Sequence, residues 1–340
     1  MIAVGAARYK ARMRRLPIEL SQGQLRVAES GLYLDAHRKA ACAFVSHAHG
    51  DHIARHERTI ATAPTVALMR HRLGAKVKGE ALPVAYRQPF GLGDLTLELF
   101  PAGHVLGSAQ LRVTRNGVTL GYSGDLCLQP TLTAEPAEVV ECDVLVLEST
   151  FGLPRYVFPD KEEVLAEVRR FVDGALGEGA TPVLLGYALG KAQEVLKFLG
   201  EAGYRCRAHP VVHALNKVYE AQGVALPNVE LLGPDGPSAG EVVVAPPHLA
   251  RTSPILRIRN RRTAVLTGWA IDGRRGFRGV DAAFPLSDHA DFPSLVRYAK
   301  ASGAARVLTV HGYARELAAA LRHEGIRAEP LVEREQLELL

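Results

Sequence analysis

Ser46-His47-Ala48-His49-Gly50-Asp51-His52 follows directly on the apolar run Ala41 to Val45. Three imidazoles and a carboxylate within six positions, behind a buried-strand pattern, describe a metal-binding loop at a strand end. In an extended loop His47 and His49 project to the same side and grip one ion, while Asp51 and His52 turn toward a second. Two ions roughly 3.5–4 Å apart activate a water and stabilise a departing oxygen, which is the chemistry of phosphodiester hydrolysis. An expression tag would be terminal and repetitive; this cluster is internal and irregular.

The chain around it has 340 residues, enough for two lobes with separate cores. Apolar content of 47% with 23% charged residues fits a soluble globular protein, and the longest apolar runs are strand length, so no membrane span is expected. The N-terminus lacks a signal peptide's apolar stretch, which predicts the cytoplasm. Cys42, Cys127, Cys142 and Cys206 form no C-x-x-C pair and read as reduced thiols. The formal net charge of +5 permits a polyanionic partner. Met1 to Leu16 carries Arg8, Lys10, Arg12, Arg14 and Arg15 with no acid, a solvated arm able to touch a nucleic-acid backbone.

Further donors follow at strand ends. Leu95 to Phe100 alternates as a strand before Pro101-Ala-Gly-His104, and Asn116-Gly117 predicts a hairpin between Leu111-Arg-Val and Val118-Thr-Leu. The next strand delivers Ser123-Gly124-Asp125, whose two carboxylate oxygens suit a bridge between two ions. Asp143 to Leu147 delivers Glu148-Ser149-Thr150. From Asp160 the pattern changes to helix, strand, turn and helix, so residues from about 153 to 280 read as a separate α/β lobe. Within it Gly190-Lys191 lacks the spacing of a nucleotide P-loop, which excludes ATP there and leaves helix capping or a phosphate contact. Arginines thicken after Arg251, and Arg257, Arg259, Arg274 and Arg275 are candidates for backbone phosphates. Last come Ser287-Asp288-His289-Ala-Asp291, with Asp291 as a helix cap, and a strand running into His311-Gly312 that supplies the missing donor for the second ion. His37, His56, His71, His209, His213, His248 and His323 lack partners at ligand spacing and are assigned to surface or packing.

The ordered set His47-Ala-His49-Gly-Asp51-His52, His104, Asp125, Glu148-Ser-Thr, Ser287-Asp-His289-Ala-Asp and Val310-His311-Gly312 resembles the metallo-β-lactamase superfamily and, within it, the β-CASP nucleases. Glu148-Ser-Thr-Phe-Gly-Leu-Pro, Tyr187-Ala-Leu-Gly-Lys-Ala-Gln and Leu286-Ser-Asp-His-Ala-Asp-Phe-Pro are similar to the bacterial ligase-associated DNA exonuclease group. The resemblance implies an α/β fold: a metallo-β-lactamase αββα sandwich from 1–152 and 281–340, with 153–280 inserted as the β-CASP lobe. It implies two divalent metal ions, Zn²⁺ first and Mn²⁺ as the alternative. His47, His49 and His104 would hold one, Asp51, His52 and His311 the other, with Asp125 between them. Asp35 would orient a ligating histidine. Glu148 would position His289 as a catalytic group, with Asp51 also in the catalytic set. Ser149, Thr150 and Lys191 join the four arginines as nucleic-acid contacts.

The implied activity is attack on phosphorus by a hydroxide activated by the two metals, in an exonuclease acting on single-stranded or end-resected DNA during repair. The implied partners are DNA and, functionally, an ATP-dependent DNA ligase and helicase. RNA is the second substrate class, because His311 stands where the RNA-processing branch also carries histidine. A small-molecule thioester or lactam hydrolase on the same scaffold is disfavoured, having no use for the inserted lobe, Glu148 or His289.

Overall fold

The computed structural model describes residues 17–74, 79–273, 277 and 279–331. The basic residues of the first sixteen positions, with Arg274, Arg275 and Arg278, lie outside the described residues. Three sheets organise them. The first has six strands in chain order, Ile18–Ser21, Gln24–Val27, Leu32–Leu34, Cys42–Phe44, Arg58–Ala61 and Glu80–Pro83, antiparallel at the start and parallel from Leu32 onward. The second has seven strands and combines an antiparallel meander, Phe90–Leu92 to Val118–Tyr122, with the parallel strands Val144–Glu148, Arg306–Val310 and Ala328–Pro330.

These two sheets pack face to face. Leu34, Phe44 and Ile60 of the first meet Leu97, Leu99, Leu111, Tyr122, Val144 and Val146 of the second. Each such side chain removed from water contributes about 1.5–3 kcal/mol, which is why the alternating pattern of Leu95–Pro101 holds its register. Val144–Glu148 is buried on both faces. Its even positions face the sandwich, while Leu145 and Leu147 meet Leu295, Tyr298, Leu317 and Leu321 on the helices Phe292–Ala301 and Ala314–His323. Helix Ala63–Leu73 covers the other outer face through Val66, Leu68 and Met69. The architecture is the expected αββα sandwich.

Local chemistry explains the connections. Asn116 and Gly117 have φ of 52° and 73°, the pair of positive values a type I′ hairpin needs, and Arg115 pairs with Val118 across them. Asp291 caps its helix by accepting from the Ser294 amide at 3.0 Å.

The third sheet is parallel throughout, in the order Val229–Leu231, Arg205–Ala208, Glu241–Ala245, Thr181–Leu185, Arg261–Leu266 and Ala282–Phe284. Its last strand runs to Phe284, past the boundary expected at 280, because it pairs with Arg261–Leu266 before the chain returns to the sandwich. Helices Lys161–Gly177 and Lys191–Glu201 cover one face through Val164, Val168, Val195 and Leu199. Leu189, Leu215 and Tyr219 of this lobe share a cluster with Val66 and Met69 of the sandwich, so the lobe seats directly on the first sheet's helix.

Among the described residues no helix is long and apolar enough to cross a membrane. All four cysteines are free.

Candidate metal centre

The parallel strands of both sheets end on one edge. Cys42–Phe44 leads to His47, Val118–Tyr122 to Asp125, Val144–Glu148 ends at Glu148, and Arg306–Val310 leads to His311. Gly124 lets two of these loops approach closely: its φ is +53°, and a Cβ there would lie 2.6 Å from the Ser46 Cβ.

Asp35 organises the base of the site. Its carboxylate accepts from the Ser46 amide at 2.6 Å, the Ser46 hydroxyl at 2.5 Å, the Tyr122 hydroxyl at 2.8 Å and His52 Nδ1 at 2.9 Å. Burial acts to raise its pKa, but His52 and these donors win and hold it below the usual carboxylate value. The His52 bond puts the proton on Nδ1 and leaves Nε2 for the interior, where Asp125 Oδ2 lies at 3.5 Å and Asp51 Oδ2 at 3.6 Å.

The same rule fixes three more rings. The Ser46 hydroxyl donates to Asp35 and so accepts from His47 Nδ1 at 2.9 Å. His49 Nε2 donates to the Leu189 carbonyl at 3.1 Å, and His104 Nδ1 to the Asp288 carbonyl at 2.6 Å. With those nitrogens protonated, the remaining nitrogens carry only lone pairs. They converge: His47 Nε2 and His104 Nε2 each lie 3.0 Å from His49 Nδ1, and Asp125 Oδ2 is 3.3 Å from His47 Nε2 and 3.6 Å from His104 Nε2.

Burial holds His47 and His104 well below the ordinary imidazole value and lowers His49 to about 4, so the three are neutral. Three lone pairs and a carboxylate oxygen within 4.8 Å of one another repel unless a cation lies among them. The donor set therefore fits a divalent metal. His52 lies among carboxylates instead: burial would lower its pKa, but Asp125, Asp35 and Asp51 push it up to about 10, so positive charge is favoured at this position. His311 is farther out, its ring centroid 6.0 Å from that of His52, and the Asp51 side chain is 81% exposed. This second half of the centre is the more open.

His289 borders the centre beside His104, their ring centroids 4.6 Å apart. Its Nδ1 bonds to Glu148 Oε1 at 3.2 Å, and its Nε2 lies 4.0 Å from Asp125 Oδ2. Burial lowers its pKa, but Glu148 and Asp125 prevail and raise it to about 9. Glu148 is fully buried and held in place by the Leu126 amide at 2.7 Å and the Thr150 amide at 3.2 Å.

A cleft of about 490 Å³ opens over these groups, lined by His49, Asp51, His52, Asp125, His289 and His311. Thr150 and Lys191 also line it; Arg257 and Arg259 do not. Ser149 is corrected: it is wholly buried, and its hydroxyl donates to the Val310 and His311 carbonyls at 2.7 Å, bracing the His311 strand end rather than meeting a ligand. Lys191 is only 2% exposed and its ammonium is committed to the Asp288 carboxylate, also buried. Burial acts to raise Asp288, but Lys191, His104 and His289 hold it far below the usual range. Gly190 caps the helix behind it, its amide donating to Gln193 Oε1 at 2.8 Å.

Several lining residues escaped the sequence reading. Arg72, Tyr187, His248, Trp269 and Asp288 all border the cleft. Asp288 had a signal, lying beside His289, and Trp269 another, as the only tryptophan of the chain. Arg72 and His248 had none. His56, close to the cluster in sequence, turns away and accepts from the Ala40 amide at 3.2 Å.

A family model described as a beta-lactamase superfamily domain matches residues 20–169. A "Probable DNA ligase" of Opitutus terrae is 41% identical over 325 residues, which are 95% of this chain and 32% of that protein. "Endoribonuclease ysh1" of Aspergillus fumigatus is 37% identical over 113 residues, 32% of the chain and 13% of the relative. An "RNase J-like protein" of Methanocaldococcus jannaschii is 22% identical over 256 residues, 61% of each. The chain thus spans about a third of the length of the first relative and less of the second.

Proposed function

We propose, from the premise that the chain belongs to the metallo-β-lactamase superfamily and to its β-CASP nucleases, that it is a metal-dependent phosphodiesterase of DNA, an exonuclease acting on single-stranded or end-resected ends. The carrying observation is the convergence of three unprotonated imidazole nitrogens on Asp125, beside a histidine paired with a buried glutamate. His47, His49, His104 and Asp125 would hold one divalent ion, and Asp51, His52, Asp125 and His311 a second, with Zn²⁺ first and Mn²⁺ the alternative. A metal pair in such a site supplies a water nucleophile at neutral pH and charge stabilisation for the departing oxygen.

The chain's own residues do the rest. Glu148 accepts from His289 Nδ1 and so keeps that imidazole protonated, with Nε2–H directed into the cleft. That proton is available to the oxygen leaving phosphorus, a general-acid role worth about 10²–10⁴ in rate. Thr150 and Arg72, both at the cleft, would contact backbone phosphates without reading sequence. The inserted lobe, whose sheet ends at Phe284, lines one wall of the cleft through Tyr187, Leu189, Thr267 and Trp269.

DNA is placed first because the Opitutus terrae relative that aligns with nearly this whole chain is named for a DNA ligase. The same observation supports functional association with a DNA ligase; that the ligase is ATP-dependent, that a helicase joins it and that the setting is cytoplasmic repair are carried by the family resemblance alone. RNA is the second substrate class, supported by the relatives named as ribonucleases. The test is incubation of the metal-loaded protein with single-stranded DNA and RNA labelled separately at each terminus, with and without chelator. Mononucleotide release from DNA, lost on chelation, is expected. RNA-only cleavage promotes the second class, and no metal-dependent cleavage of either refutes the proposal.

A further inference from the structure

Among the described residues, every phenylalanine, tyrosine and tryptophan is buried or half-buried except two, Tyr187 at 55% and Trp269 at 39% exposure. Both line the cleft that holds the histidines. A large apolar ring left in water forgoes the burial its fellows obtain, so two such rings at one cleft mark a surface that a ligand covers.

Each ring is braced from behind. Trp269 follows strand Arg261–Leu266 in a short turn, where Gly268 packs so closely that a Cβ would meet the Phe151 ring at 2.6 Å. Its ring packs at a tilt of 44° against Phe151, centroids 4.5 Å apart, and meets Tyr156 edge-on at 5.7 Å. Phe151 in turn lies 6.0 Å from the His289 ring. Tyr187 follows strand Thr181–Leu185, and the Lys191 ammonium sits 5.7 Å from its ring centroid. The Trp269 ring is thus packed in place a single aromatic neighbour away from His289, and both residues remain partly exposed at the cleft.

Resting on the nuclease proposal above, we infer that Trp269 and Tyr187 form the stacking platform for nucleobases next to the phosphodiester that is cut. Every base has a π-face, so such a platform holds any sequence, and the bases of a duplex are already stacked on one another and cannot reach it. The rings therefore make the site selective for single strands and tolerant of sequence. They are positioning residues, seating the strand so that the phosphate meets the metal side chains.

The chain contains a single tryptophan, so its emission reports on this ring alone. Full-length, chelator-treated protein is titrated with a short oligodeoxythymidylate and with an abasic strand of equal length. Saturable quenching by the first and not the second is expected. With metal restored, Tyr187→Leu and Trp269→Leu each raise KM about tenfold on the base-bearing strand and leave it unchanged on a strand abasic at its terminal positions, while Trp269→Phe stays near wild type. Tyr187→Leu alters a side chain more than half exposed, so it remains informative should Trp269→Leu fail to fold. Equal quenching by both strands, or leucine variants that cleave DNA with wild-type KM, overturns the stacking role while the nuclease proposal stands. A metal-loaded protein that cleaves no nucleic acid overturns both.

Discussion

Replacing Lys191 by methionine strands the Asp288 carboxylate, which is 4% exposed and has this ammonium as its salt-bridge partner. Removing one member of a buried ion pair leaves an uncompensated charge and costs about 3–5 kcal/mol, far more than the pair contributes when intact. The double variant Lys191→Met/Asp288→Asn leaves no charge behind, so most of that loss is expected to return. A second consequence follows from the Asp288 carbonyl, which accepts from His104 Nδ1 at 2.6 Å. A residue that relaxes to find water for its carboxylate moves that carbonyl and unsettles the His104 tautomer, lowering metal affinity about 10- to 100-fold. Urea unfolding of chelator-treated protein measures the first effect, and competition with a chromophoric chelator the second. A single variant within about 0.5 kcal/mol of wild type, with unchanged metal affinity, would refute the reasoning.

His289→Ala is expected to retain its metal and lose about 10²–10⁴ in turnover; unchanged turnover removes its proton-donor role. Asp35→Asn, which weakens the acceptor for His52 Nδ1, should lower metal affinity about 10- to 100-fold while leaving the fold intact, as metal competition and circular dichroism together will show. In the inserted lobe, Arg207 grips Glu241 with bonds of 2.8 and 2.7 Å, and this guanidinium, outweighing burial, holds the Glu241 carboxyl below its ordinary value. A depressed carboxylate contributes stability above its unfolded pKa, near 4.5, and loses it as pH falls through the folded value. Glu241→Gln should therefore cost about 1–2 kcal/mol at pH 7 and progressively less below pH about 4.5, and a cost independent of pH from 7 to 3 would contradict that linkage.

What could be read along the chain was local. The Asn116-Gly117 turn, the Asp291 cap and the alternation of Leu95 to Phe100 depend on near neighbours, and the structure forms all three. The arrival of His47, Asp125, Glu148 and His311 on one edge also had a local sign, since each stands at the end of an apolar run. The lobe boundary was harder to see because Ala282–Phe284 is a short edge strand whose place depends on pairing with Arg261–Leu266. Contacts between lobes had no sign at all: Lys191 meets Asp288 across 97 positions, and the Leu189 carbonyl meets His49 across 140. Glycine followed by lysine before a helix looks the same whether the ammonium faces phosphate or a buried carboxylate. Ser149 misled for a related reason, since a hydroxyl beside a buried glutamate can face the cleft or brace a strand, and strand pairing to Val310 chose the latter.

Equilibrium metal titration of the purified chain tests the converging lone pairs most directly. Wild-type protein should bind two Zn²⁺ per chain, and His47→Ala, which removes one of three inward nitrogens, should lose the ion held with His49 and His104. Wild-type protein that binds no divalent metal at micromolar concentration would contradict the account.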